Sequence, residues 1–302
     1  METERHSPRY NAIEAWSPGD ILEAMIEGQF AAVAAVRAAR PAIEEAALAI
    51  EPRLRDGGRL AYAGAGTSGR LAVQDGAELM PTFSWPQERL LVLMAGGREA
   101  LVRSVEGAED EAEKAINLVR RCELEPRDVL IAVAASGTTP FTVACLREAK
   151  HRGALTIAIA NNRDTPLLAE ANYPVWLDTG PEPIAGSTRM KAGTAQRIAL
   201  NLLSSLVMIR LGRVYRGLMV DLKAVNKKLI RRSEKILLEL SGRSREEVRD
   251  ALHRADGSVK IALLLLEGCD LDEAARVLDR SGGQLRAAKT LIETRRGPKK
   301  DA

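Results

Sequence analysis

Between residue 21 and about residue 54, Ala, Ile, Val and Leu recur at helical spacing, with interruptions near Gln29 and at Pro41. This predicts an N-terminal helical segment whose apolar stripe needs a partner. Ser17-Pro18-Gly19-Asp20 ahead of it reads as a turn and cap. After Asp56-Gly57-Gly58 the pattern changes. Arg59-Leu60-Ala61-Tyr62-Ala63 is a short apolar run, the mark of a buried strand, and it feeds a glycine-rich turn at 64–69 with a helix beyond, through Leu79. Residues 90–95, 128–135 and 154–160 repeat the strand pattern, and Val175-Trp176-Leu177 adds a brief fifth strand. Helical stretches at 98 to about 121 and at 141–151 lie between them. Strands and helices alternating at this spacing predict an α/β fold built on a doubly wound parallel sheet.

Beyond Gly186-Ser187-Thr188 a long helix is expected to about residue 211, capped by Ser187 or Thr188. A basic amphipathic helix is expected over 218–240. A small helical unit then follows as segments 244–254, 258–266, 271–278 and 284 onward, divided by glycines or short polar turns. The expected division is 1–49 as N-terminal helices, 50–213 as the sheet domain, 214–242 as a connecting helix, and 243–302 as a small helical bundle with a charged tail that frays.

Composition narrows the chemistry. The 302 residues, 46% of them hydrophobic, supply a sizeable core and exclude disorder. With 44 Lys and Arg against 41 Asp and Glu, the formal charge is +3, no footprint for a nucleic acid, and 3% aromatic content leaves no base-stacking platform. The histidines are His6, His151 and His253 and the cysteines Cys122, Cys145 and Cys269, none at metal-ligand spacing. Neither a metal nor a disulfide framework is expected, and carboxylates, hydroxyls, amides and basic groups are left to do the chemistry. Separated cysteines fit a reducing compartment. The start has no apolar run of a signal peptide, and the longest aliphatic run, 261–266, is far short of the roughly 20 residues of a membrane span. A cytoplasmic protein is therefore expected.

Gly64-Ala65-Gly66-Thr67-Ser68-Gly69 fits G-x-G-x-x-G between a strand and a helix, a dinucleotide fingerprint that is weak alone. A second strand–loop–helix, Ser136-Gly137-Thr138-Thr139, also joins glycine to hydroxyls. Two such loops at the carboxyl ends of parallel strands offer N–H groups, helix N-termini and hydroxyls to one crevice, which suits a phosphate dianion. A sugar phosphate is the economical ligand. As ordinary turns, the same Ser and Thr residues would only cap helices.

Gly64 to Leu71, Val105-Glu106-Gly107-Ala108-Glu109-Asp110, Ala134-Ala135-Ser136-Gly137 and the run from Gly186 to Gln196 resemble the motifs of the N-acetylmuramic acid 6-phosphate etherase family. Leu218-Met219-Val220-Asp221 and Asn226-Lys227-Lys228-Leu229 continue the likeness over nearly the whole chain. The resemblance implies a sugar isomerase (SIS) domain of flavodoxin-like three-layer form, a homodimer, and a lyase that needs no cofactor. It also implies cleavage of the D-lactyl ether at C3, giving N-acetylglucosamine 6-phosphate and D-lactate. In the open-chain sugar the C2 proton lies α to the aldehyde, and the lactate oxygen leaves well only if protonated, so one base and one acid are required.

Residue by residue, the resemblance puts Glu78 on the family's acid and Glu109 on its second catalytic glutamate, the base at C2. The apolar neighbours Leu79, Met80 and Pro81 are compatible with burial around Glu78, which would raise its pKa as an acid requires. Glu109 belongs to an acidic run with Glu106, Asp110, Glu111 and Glu113 that by pattern alone is a solvated helix face. Gly66, Thr67, Ser68, Ser136, Gly137, Thr138 and Thr139 are the expected phosphate-binding set, with Arg189 and Lys191 as candidates for the lactyl carboxylate or the phosphate. Arg70 is ambiguous in the same way, His151 fits a helix C-terminus, and Cys145 reads as a core residue. Two departures stand out. The family's Asp-Ala-Ser-Glu-Cys-Pro-Pro is here Asp75-Gly76-Ala77-Glu78-Leu79-Met80-Pro81, and its Arg after Ser-Gly is here Thr138. Two other readings, a non-catalytic sugar-phosphate sensor and an aldose–ketose isomerase, share the fold; together Glu78 and Glu109 favour the etherase.

Overall fold

The computed structural model describes residues 1–222 and 227–296. Asn226 and the tail from residue 297 lie outside the described residues. The chain divides into two compact units, one of residues 1–78 and 86–205, the other of 79–85 and 206–302.

In the first unit, helices α1 (Pro18–Ala38) and α2 (Arg40–Arg55) precede strand β1 (Leu60–Gly64). The chain does not break at Gln29. It breaks at Ala39, and Pro41 sits in the first turn of α2, where its missing N–H costs nothing. Then follow α3 (Gly66–Phe83), β2 (Leu90–Met94), α4 (Ala112–Arg121), β3 (Val129–Val133), α5 (Pro140–His151), β4 (Leu155–Ala160), α6 (Pro166–Glu170), β5 (Tyr173–Trp176) and α7 (Lys191–Arg210). All strand pairs are parallel, in the order β2-β1-β3-β4-β5.

Every residue of β1, β3 and β4 is buried, because helices cover both faces of the sheet. This is why those strands read as unbroken apolar runs. Leu130, Ala132, Ala158 and Ala160 join Phe141, Cys145 and Leu146 of α5 and Ala115 and Val119 of α4 in one core cluster. Each large aliphatic side chain buried there contributes about 1.5–3 kcal/mol. At the opposite end of the sheet, Asp128 receives Arg59 Nη2 at 2.6 Å and the Arg59 and Glu125 backbone N–H groups, joining the starts of β1 and β3. Burial works against its charge, but the hydrogen bonds from Arg59 and Glu125 prevail and hold the carboxyl below its usual range.

Further expectations from the sequence require correction. The stretch 98–121 is not one helix. Single 3-10 turns at Gly97–Leu101 and Ala108–Asp110 precede α4, with Gly107 in left-handed conformation at φ 71° between them. Nor is α7 capped by Ser187 or Thr188. Buried Glu182 accepts the Lys191 and Ala192 N–H groups at 3.2 and 2.9 Å, a cap delivered from nine and ten positions upstream.

In the second unit the segment expected as a helix over 218–240 begins as a hairpin, β6 (Val214–Tyr215) and β7 (Leu218–Met219), turned at Arg216-Gly217. The remaining helices are α8 (Lys227–Ser241), α9 (Arg245–Arg254), α10 (Val259–Leu266), α11 (Leu271–Arg280) and α12 (Leu285–Arg296). Ser244, Ser258 and Asp270 cap α9, α10 and α11, which is why their starts were plain in the sequence. Leu237, Val248, Leu263, Leu264, Val277 and Ala288 form the core of this unit. Among the described residues no helix is long and apolar enough to cross a membrane.

Candidate active site

The strand order reverses between β1 and β3, and ligands of open α/β sheets bind in the crevice outside the strand carboxyl ends at such a point. A cleft of about 340 Å³ lies there, lined by Gly66, Thr67 and Ser68 from the start of α3 and by Ser136, Thr138 and Thr139 from the loop after β3. The two hydroxyl loops singled out in the sequence therefore meet. Glu109 and Asp110 line the same cleft, as do Glu4, Pro140 and Thr188.

Local packing explains the first loop. A Cβ on Gly64 would come within 2.8 Å of the Gly69 Cα, and one on Gly69 within 2.4 Å of the Met94 Sδ. Glycine at both positions lets the first turn of α3 close directly on the sheet, aiming its free N–H groups outward. In the second loop Gly137 is left-handed at φ 70° and a Cβ there would meet Thr165 Oγ1 at 2.3 Å. Its partners hold one another: the Thr138 N–H donates to Ser136 Oγ at 3.2 Å, and Ser136 Oγ lies 3.2 Å from Thr139 Oγ1. Gly137 does not itself line the cleft; it shapes the loop that does.

Glu109 reaches the cleft because the acidic segment is a loop rather than a helix face. Arg70, ambiguous from sequence, serves this arrangement. Its Nε donates to Ala100 O at 2.8 Å and its Nη2 to Arg103 O at 3.2 Å, tying α3 to the chain that leads toward Glu109.

Three expected residues do not join this group. Glu78 is exposed, not buried: on amphipathic α3 the neighbouring Asp75 and Leu79, each 2% exposed, take the inner face and leave Glu78 outside. It stands twelve residues past Gly66, about 18 Å along the helix axis. Arg189 is exposed beside the cleft-lining Thr188 but does not itself line the cleft. Lys191 is 5% exposed, its Cδ packed toward Gly28 of α1. Burial lowers its pKa, with the nearby Glu182 charge opposing. It packs under α1, at van der Waals distance from where a Cβ on Gly28 would lie.

One turn before Glu78, Asp75 anchors α3. Tyr62 Oη donates to its Oδ2 at 2.9 Å, and Ser204 Oγ and Arg197 Nη1 donate to its Oδ1, each at 3.3 Å. Burial raises the Asp75 pKa, against the pull of those donors. Elsewhere the minor expectations hold: His151 ends α5, and Cys145 is fully buried, its thiol pKa pushed up by that burial. Glu4, Asp110 and Thr188 were not foreseen. Asp110 lies in the quoted acidic motif and Thr188 in the Gly186 motif, but nothing in the pattern around Glu4 separates it from a polar terminus.

The glucokinase regulatory protein N-terminal SIS domain model matches residues 42–150, and the SIS domain model matches residues 106–206. An N-acetylmuramic acid 6-phosphate etherase from Deinococcus radiodurans is 49% identical over 94% of this chain and 93% of its own. The enzyme of that name from Streptomyces avermitilis is 44% identical over 95% of this chain and 93% of its own. Among solved structures, a phosphoheptose isomerase from Francisella tularensis shares the fold at 19% identity and a TM-score of 0.50, covering 64% of this chain and 98% of that one.

Proposed function

The chain belongs to the N-acetylmuramic acid 6-phosphate etherase family, carbon–oxygen lyases that cleave the lactyl ether of that sugar in peptidoglycan amino-sugar recycling, and from this premise we propose how its residues divide the reaction. The phosphate sits between the two hydroxyl loops, held by N–H groups at the start of α3 and by Ser68, Ser136 and Thr139. Glu109, in the same cleft, removes the C2 proton of the open-chain sugar. Glu78 protonates the lactate oxygen as the C3–O bond breaks, leaving an unsaturated aldehyde. Water then adds at C3, with the two carboxyl groups exchanging roles. The observation that carries this reading is Glu109 sharing one cleft with both hydroxyl loops.

Glu78 enters from a second copy of the chain. A homodimer is supported by α1, where Leu22, Ile26, Phe30 and Val33 are 61, 48, 72 and 52% exposed on one face while Ala24, Gly28, Ala32 and Ala35 are buried on the other. Four large apolar side chains left in water at helical spacing mark an association surface. A cytoplasmic location is consistent with three unpaired cysteines.

The test is D-lactate release from N-acetylmuramic acid 6-phosphate, with part of the reaction run in deuterated water. Lactate together with deuterium at C2 is expected. Deuterium without lactate would favour an isomerase, and neither product would leave the sensor reading.

A further inference from the structure

One residue before the cleft-lining Glu4, the chain is already fixed in the sheet domain. Thr3 is fully buried. Its N–H donates to Asn162 Oδ1 at 3.2 Å, Asn162 Nδ2 donates back to Thr3 Oγ1 at 2.8 Å, and the Gly186 N–H donates to Thr3 O at 3.0 Å. Asn162, itself 3% exposed, also donates to Ala135 O at 2.9 Å, one residue before Ser136. One buried asparagine thus couples the anchor of Glu4 to the second hydroxyl loop. The Glu4 carboxylate is steered the same way: its Oε2 would lie 2.8 Å from a Cβ on Gly186, so any side chain there would displace it.

What the anchor presents is an acceptor without a donor. Glu4 lines the cleft as an exposed residue, and among the described residues its carboxylate has no protein donor or cation as partner. An ionised carboxylate offers only lone pairs. The cleft lining holds two further carboxylates, Glu109 and Asp110, and no basic side chain. A second anionic group beside Glu4 would be repelled, whereas a neutral O–H or N–H would be drawn to it.

We propose that Glu4 is a substrate-binding residue, its carboxylate accepting a hydrogen bond from a neutral donor on the sugar chain of the phosphosugar, a hydroxyl or the acetamido N–H, with Thr3 and Asn162 as its positioning residues. The proposal rests on the phosphosugar reading of the cleft. It makes the first residues of the chain part of the specificity of the site, since a ligand with a phosphate but no such donor gains nothing from Glu4.

The test compares wild type with Glu4→Gln and Asn162→Ala, any affinity tag being placed at the C-terminus. The readouts are KM and kcat for lactate release, and calorimetric Kd for N-acetylglucosamine 6-phosphate and for inorganic phosphate. Loss of a charge-assisted hydrogen bond predicts that Glu4→Gln raises KM and the sugar-phosphate Kd about tenfold or more, leaving kcat and the melting temperature near wild type and the phosphate Kd unchanged or tighter. Asn162→Ala should shift KM in the same direction, with some loss of stability. An unchanged sugar-phosphate Kd in Glu4→Gln would overturn the proposal, and a tighter Kd would make Glu4 a plug rather than a ligand. A wild type that releases no lactate would defeat the etherase reading separately, with the calorimetry still deciding the role of Glu4.

Discussion

Glu109 and Glu78 are the two carboxylates proposed to carry the reaction, and they occupy opposite kinds of place. Glu109 stands in a loop at the switch point of the sheet, facing Thr67, Ser68, Ser136 and Thr139 across a cleft of about 340 Å³. Glu78 stands on the outer face of α3, exposed, about 18 Å along that helix from the first hydroxyl loop. One is at a site and the other is on a surface. An elimination that moves one proton off C2 and another onto the C3 oxygen places both groups within hydrogen-bond reach of neighbouring atoms. Under the proposed roles, the contrast is accounted for if one copy of the chain presents a phosphate cradle and a base, and its acid serves the cleft of another copy.

The largest effect should come from the cleft side. Glu109→Gln is expected to lower lactate release about a thousandfold and to abolish deuterium incorporation at C2. Exchange equal to wild type would show that the base lies elsewhere. Glu78→Gln is expected to lower lactate release about a hundredfold or more while C2 exchange continues, because carbanion formation does not need the acid. Loss of both signals together would collapse the distinction between the two residues.

Next in size is a contrast within a single turn of α3. Asp75→Ala leaves the buried Tyr62 hydroxyl without its acceptor and should cost about 2 kcal/mol, read by denaturant unfolding, whereas Glu78→Gln should shift stability by no more than about 0.5 kcal/mol. The pH dependence of Asp75 has a fixed sign. Its carboxyl is raised in the folded state, so the native protein keeps a proton that the unfolded chain releases near pH 4, and the stability it contributes declines as pH rises through the raised value. The melting-temperature advantage of wild type over Asp75→Asn should therefore shrink as pH rises from about 4. An advantage that grows over that range would place the Asp75 shift in the wrong direction.

The smallest effect concerns the departure from the family pattern. Thr138 is exposed in a cleft lined by no basic side chain, so Thr138→Arg should lower KM a few-fold, about one charged contact in partly screened surroundings. A rise in KM would mean that the hydroxyl itself contacts substrate.

The sheet and its loops were legible in the sequence because each follows from local chemistry. Strands buried on both faces are continuous apolar runs, and Gly64, Gly69 and Gly137 sit where backbone geometry admits little else. What escaped depends on distant partners. Glu182 caps α7 from outside the helix, so Ser187 and Thr188 drew attention that belonged elsewhere. Lys191 reads as a surface charge until the fold buries it beneath α1. The acidic run at 106–113 has the composition of a solvated helix, but Gly107 is left-handed and the turn after it, with Glu109 and Asp110, lines the cleft. Glu4 is placed by its neighbour Thr3, which Asn162 holds from 159 positions away, a pairing that no spacing rule detects.

The most direct measurement mixes two inactive variants. Glu78→Gln and Glu109→Gln are dissociated, combined in equal amounts, allowed to reassociate, and assayed for lactate. If each cleft joins Glu109 of one copy to Glu78 of the other, every mixed dimer regains one intact site, and random pairing restores roughly a quarter of wild-type activity, far above the background left by either loss alone. If both glutamates serve the cleft of their own chain, no mixed dimer contains an intact site. Activity that stays at the level of the separate variants would contradict the division of the site between two copies.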